Sequence, residues 1–120
     1  MRPEDVDVQG HVNNVTYLRW VQDVAVAHWL SVAGEKVLDE YTWVVTRHEI
    51  DYKQGAFEGD ELTVATWVGE CSRITWDRHT EITRKGALIV QARTVWCFLA
   101  KNSMRPVRIG DEIAALLTDE

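Results

Sequence analysis

From Asn13 to Ala33 the chain runs without a glycine or a proline. Within Val15–Leu30 the polar residues Thr16, Arg19, Gln22 and Asp23 recur at spacings of three and four, and apart from His28 everything else is apolar. Such spacing places the polar groups on one narrow stripe of a helix. A helix that is apolar over most of its circumference is expected to be buried over most of it. Asn13 or Asn14 is a good N-cap, and Gly34 is placed to stop the helix. At 1.5 Å per residue, about 18 residues make a rod roughly 27 Å long. The fold must enclose that rod.

The rest of the chain reads as strands. Residues 41–52 are rich in β-branched and aromatic side chains. A loop is expected over 54–59, a strand over 60–68, and another over 73–84 with Ile74, Trp76 and Ile82 on one face and Asp77, His79 and Glu81 on the other. Lys85-Gly86 reads as a tight hairpin turn. The strand over 88–100 is the most hydrophobic, and a short helix is expected over 111–117. One long helix followed by at least four antiparallel strands is an α+β layout. A helix this apolar calls for a sheet curved around it.

A chain of 120 residues is the size of one domain, here spanning 1–120. The net charge of −6 argues against nucleic acid as a partner. The longest mostly apolar stretch, 24–33, is interrupted by His28 and Ser31 and is too short for a membrane span. No apolar targeting segment follows Met1, so the cytoplasm is the expected compartment. Cys71 and Cys97 do not form a C-x-x-C pair and are expected to be buried thiols. No disulfide, metal site or cofactor is anticipated. His48, Glu49 and Asp51 share a strand at a spacing that does not suit a metal.

The informative segment is the opening. Asp5 and Asp7 stand two apart, followed by Gly10-His11 and the start of the helix. Backbone N–H groups at a helix N-terminus lack partners and carry partial positive charge, which suits a developing oxyanion. A carboxylate just upstream is placed to act as base or nucleophile. The pair suits attack on an activated carbonyl such as an ester or thioester. Asp and Asn before a helix also serve as simple cap and turn residues.

The longer string, Asp5-x-Asp7-x-x-Gly10-His11-Val12-Asn13-Asn14-x-x-Tyr17 ahead of a hydrophobic helix, resembles the hot-dog thioesterases. It is most similar to the 4-hydroxybenzoyl-CoA thioesterase branch, and plant acyl-carrier-protein thioesterases carry a similar His-Val-Asn-Asn segment. The order of helix, loop, Gly59-Asp60-Glu61-Leu62-Thr63-Val64 and long strands extends the resemblance over nearly the whole chain. It implies the hot-dog fold, a curved antiparallel sheet wrapped around one long helix. Only residues 1–4 precede the motif, so the first strand of the family is expected to be very short here, or the sequence begins part-way through it.

The resemblance implies roles for particular residues. Asp7 matches the catalytic carboxylate, acting as nucleophile or as general base toward water, and Asp5 a less essential position. Asn14 falls where a backbone N–H polarises the thioester carbonyl, with His11 and Asn13 flanking it. Tyr17, Arg73 and Arg105 match substrate or CoA contacts, the arginines near the phosphates. The implied reaction is hydrolysis of an acyl-CoA to free acid and CoA. Hydrolysis of acyl-carrier-protein and a non-catalytic acyl-binding role are the alternatives. Carrier proteins are acidic, and no dense basic cluster is visible for docking one.

A homodimer, or a dimer of dimers, is expected. One chain this small has limited surface with which to cover so apolar a helix. The 88–100 strand reads as a poor candidate for an exposed edge, and the resemblance implies sites at a subunit seam.

Overall fold

A computed structural model describes residues 5–7 and 10–118. The elements run α1 (Asn14–Val32), α2 (Glu35–Glu40), β1 (Tyr41–Tyr52), β2 (Thr63–Cys71), β3 (Thr75–Arg84), β4 (Ala87–Ala100), β5 (Arg105–Pro106) and α3 (Asp111–Thr118). The antiparallel sheet has the order β1-β4-β3-β2, with β5 adding to the end of β4. The long helix lies on one face of this sheet, which is the expected α+β layout. Val6 pairs with Val12 and His11 with Phe57 in isolated antiparallel bridges, and residues 1–4, on which the short first strand is expected, lie outside the described residues.

The buried residues of α1 are Thr16, Tyr17, Val21, Ala25 and Trp29, a seam repeating every fourth residue from Tyr17. The opposite face stays open, with Val26 45% and Leu30 57% exposed. Burial over most of the circumference therefore fails within one chain, because a single sheet reaches only one side of the rod. Nor does Gly34 stop α1 through a left-handed turn. The helix ends at Ala33 in an extended conformation, and Gly34, at φ −76°, leads into α2. That short, largely exposed helix escapes a reading based on apolar periodicity.

The strands begin and end close to their expected bounds. The second starts at Thr63 rather than Asp60, because the Asp60 carboxylate accepts the Phe57 N–H at 2.9 Å and closes the preceding turn. Lys85 and Gly86 both take positive φ, 51° and 81°, and make the β3–β4 hairpin. The hydrophobic strand β4, a poor candidate for an exposed edge, is central, flanked by β1 and β3, so no second copy is needed to cover it; among the described strands the edges are β1 and β2. One expectation is overturned. Cys71, at the end of β2, is exposed; only Cys97 is buried.

The core divides along the helix. One cluster holds Val12, Tyr17, Ala56, Ile82, Ile89 and Val90, with Trp20 packed against it. The other holds Trp29, Trp76, Phe98, Ile109, Ile113 and Leu117, closed by α3. On β3 the outward-facing Asp77 is nevertheless only 6% exposed. Arg93 donates to it at 2.8 Å, and the backbone N–H of Glu70 donates to it as well. Gly69 on β2 permits this, since a Cβ there would collide with the Asp77 carboxylate and the His79 ring.

Candidate active site

The opening motif folds into a compact turn that delivers the chain to the helix. The Asp7 N–H donates to the His11 carbonyl at 2.8 Å, the Gly10 N–H donates to the Asp7 carbonyl at 3.1 Å, and the His11 N–H donates to Asp7 Oδ1 at 3.1 Å. The turn requires a left-handed residue, which Gly10 supplies at φ 81°. Asp7 thus has one carboxylate oxygen anchored by its own turn while the residue stays exposed to solvent.

Asp5 does something different. It is 1% exposed, and Arg19 on α1 donates to its carboxylate at 2.8 Å. Its carbonyl accepts the Asn13 N–H at 2.8 Å. The first aspartate ties the loop to the helix, and the second faces solvent.

The segment 10–12 is pinned from its other side. The Val12 N–H donates to the Ala56 carbonyl and the Glu58 N–H to the Gly10 carbonyl, at 2.8 and 2.9 Å. The His11 ring meets Phe57 edge-on at 4.7 Å. The buried Tyr17 hydroxyl accepts the Ala56 N–H at 2.9 Å. Burial raises the pKa of that hydroxyl, with the Ala56 hydrogen bond opposing the shift. Arg84 holds the same loop through the Gly55 carbonyl, Gln54 and Asp60.

A cavity of about 380 Å³ opens between these segments, lined by Asp7, His11, Asn13, Asn14, Tyr17 and Tyr52, with Gln54 and Gly55 at its rim. Asn13 caps α1 by position but makes no side-chain capping hydrogen bond. The Asn14 backbone N–H has no acceptor among the described residues. The Tyr52 hydroxyl donates to the Asn14 carbonyl at 3.4 Å. One cavity therefore contains a solvent-facing carboxylate and an unpaired N–H at the positive end of a helix. Such a place suits water and a carbonyl whose oxygen gains negative charge.

Asp7, His11, Asn13, Asn14 and Tyr17 meet here. Arg73 and Arg105 do not line the cavity. The Arg73 carbonyl accepts the N–H of Ile109, a member of the cluster around Trp29, and Arg105 lies on β5 beside Ala100. Both belong to the other end of α1, roughly 20 Å or more away along the helix. Tyr52, Gln54, Gly55 and Arg84 carry no local signal of a site, and Arg84 reads from the sequence as a hairpin-tip residue; only the β1–β4 register and the loop that follows bring them to the motif. Among the described residues no group of His, Cys, Asp and Glu side chains is placed to hold a metal. Among the same residues no helix is long and apolar enough to cross a membrane.

A family model described as the thioesterase-like superfamily matches residues 1–117. The chain belongs to that superfamily. Thioesterase-like relatives share its architecture. A thioesterase from Thermus thermophilus, solved with coenzyme A and zinc, superposes with a TM-score of 0.85 at 23% identity, over 98% of this chain and 86% of that one. A 1,4-dihydroxy-2-naphthoyl-CoA thioesterase from Synechocystis superposes with a TM-score of 0.84 at 17% identity, over 99% and 91%. At these identities the likeness shows the hot-dog fold. In sequence, 73 residues are 30% identical to the chloroplastic acyl-[acyl-carrier-protein] hydrolase of Cuphea viscosissima, covering 59% of this chain and 18% of that protein. The match spans less than a fifth of that relative. The superfamily and the fold stand on these findings, while membership of the 4-hydroxybenzoyl-CoA branch in particular does not follow from them.

Proposed function

We propose that this member of the thioesterase-like superfamily hydrolyses an acyl-CoA to the free acid and CoA, with Asp7 as the reacting carboxylate. The observation that carries this reading is the shared cavity of the Asp7 carboxylate and the unpaired Asn14 N–H. The thioester oxygen accepts from the Asn14 N–H, and His11 and Asn13 flank the reacting carbonyl. In the general-base course Asp7 takes a proton from water as its oxygen bonds to the carbonyl carbon. The C–S bond then breaks, and the proton passes to the departing CoA thiolate. In the nucleophilic course Asp7 bonds to the carbonyl carbon and expels the thiolate, and water hydrolyses the resulting anhydride. The oxyanion forms at the same N–H in both.

Coenzyme A is favoured over carrier protein as the carrier. The chain has a net charge of −6 and shows no dense basic cluster to meet an acidic carrier protein. Release of free thiol from matched acyl-CoA and acyl-carrier-protein substrates tests the choice. The expected kcat/KM is higher for the CoA thioester, and the reverse order overturns it.

The active unit under this proposal is a homodimer or homotetramer. The open face of α1, with Val26 and Leu30, is apolar, and Arg73 and Arg105 are far from Asp7 within one chain. A second copy laid alongside would cover the first and bring the second to a neighbouring site, where the guanidiniums meet CoA phosphates. Sedimentation of the active species is expected to give at least twice the mass of one chain. Full activity at the mass of a single chain would refute the shared site.

A further inference from the structure

A belt of polar side chains crosses the helix-facing side of the sheet and separates the two core clusters. Across β1, β4 and β3, His48 is opposite Thr94, and Thr94 opposite Arg78. His48 bonds Thr94 Oγ1 at 2.9 Å and, through its other ring nitrogen, Gln22 of α1 at 3.1 Å. Arg78 donates to Thr66 Oγ1 at 3.2 Å and to His28 Nδ1 at 2.8 Å. His48 and Thr94 thus satisfy each other. Arg78 is the unusual member.

Arg78 is 5% exposed, yet no carboxylate of the described residues lies within ion-pair distance of it. Its neighbour Asp77 is on the opposite face, engaged by Arg93 and the Glu70 N–H. A guanidinium has five N–H donors. Two are used here, both on neutral acceptors, which leaves three. Burial lowers the Arg78 pKa, the expected response of a charge removed from water without a counter-charge. A buried charge costs several kcal/mol unless it is paired.

The guanidinium stands at the wall of a cavity of about 230 Å³, separate from the Asp7 cavity and sharing no residue with it. Its walls include Trp29, Trp43, Trp76 and Trp96, with Lys101 as a second cation. Val26 and Leu30 of the open face of α1 line it as well, so the second copy proposed above would complete its outer wall. The Trp96 indole N–H is buried and has no acceptor among the described residues. Asp77 also lines this cavity, but one of its carboxylate oxygens accepts from the Glu70 N–H and the other from Arg93. Among the described residues the remaining Arg78 donors and the Trp96 N–H have no acceptor. Besides Thr42, the uncharged side chains around the cavity are aromatic and aliphatic.

We infer that this cavity binds a monocarboxylate with an apolar body, the carboxylate received by Arg78 and the body by the tryptophan walls. A carboxylate is an acceptor-only group whose two oxygens match the guanidinium fork. The cavity is smaller than those that hold drug-sized ligands, so the body is on the order of a dozen non-hydrogen atoms. A phosphate would bring additional charge against apolar walls. The site is distinct from the reaction proposed at Asp7 and does not depend on it.

Calorimetric titration of the full chain with 2-naphthoate and octanoate, and with 2-naphthamide as a neutral isostere, tests the inference. At least one acid is expected to bind. With 2-naphthoate as the binder, the amide should bind at least 10-fold more weakly, and Arg78→Gln should weaken the acid by a similar factor. Asp7→Asn should leave binding unchanged, so failure at the Asp7 site and failure here are separable. In NMR spectra of the wild type, the acid should shift the indole N–H signals of Trp29, Trp43, Trp76 or Trp96 while leaving the His11 ring signals in place. Binding of neither acid, equal binding of acid and amide, or undiminished binding by folded Arg78→Gln overturns the site. If Arg78→Gln does not fold, the acid–amide comparison and the indole shifts decide on the wild type alone: an acid preference of less than 10-fold, or shifts confined to the Asp7 end, overturns it.

Discussion

Asp7→Asn should lower kcat for thioester hydrolysis by roughly 10²-fold or more, the range seen when a general base is lost. The amide oxygen still accepts the His11 N–H, so the turn that holds position 7 keeps its geometry. The residue is exposed, so little stability changes with it. The loss should therefore appear in turnover and not in the melting temperature. Asp5→Asn provides the contrast. It weakens a charge-assisted bond to Arg19 on a residue 1% exposed. It should cost about 1–3 kcal/mol, lowering the melting temperature by roughly 5–10 °C, with turnover close to wild type in the folded protein. Near-normal turnover by a folded Asp7→Asn variant would remove Asp7 from the chemistry.

The largest stability effect is expected at Phe98. This side chain is 1% exposed at the centre of the second core cluster. Its ring stacks on Tyr41 at 4.9 Å and packs against Trp43 at 4.6 Å and Trp29 at 6.5 Å. Phe98→Ala removes an aromatic body from rigid neighbours that cannot close the gap. The expected loss is about 3–5 kcal/mol, or roughly 10–20 °C in melting temperature for a chain of this length. The near-UV circular dichroism of the tryptophans should weaken with it. A loss below about 1 kcal/mol in chemical denaturation would mean that the cluster repacks freely.

The Asp7 site was unusually legible in the sequence because it is local. From Asp5 to Tyr17 thirteen residues supply the turn, the carboxylate, the cap and the first helical N–H. Their geometry follows from short-range backbone hydrogen bonds and one left-handed glycine. Distant partners then lock that geometry without creating it. Tyr17 takes the Ala56 N–H and Arg84 grips residues 54–60, both through pairings made by the folded sheet.

Local chemistry likewise determined α1, the Lys85-Gly86 hairpin and the long strands, since helix periodicity, positive-φ tolerance and β-branching act over a few residues. What tertiary structure alone decided is burial. Asp5 and Asp7 look alike in the sequence, yet one is sealed against Arg19 and the other faces solvent. Arg78 and Asp77 are adjacent, but strand alternation sends them to opposite faces, one without a counter-charge among the described residues and one with Arg93. The hydrophobicity of β4 argued against an exposed edge, but which strands flank it and which face of α1 stays open depend on strand order, which hydrophobicity does not encode. Desolvation is a property of everything packed around a group, so it is written only when distant segments meet.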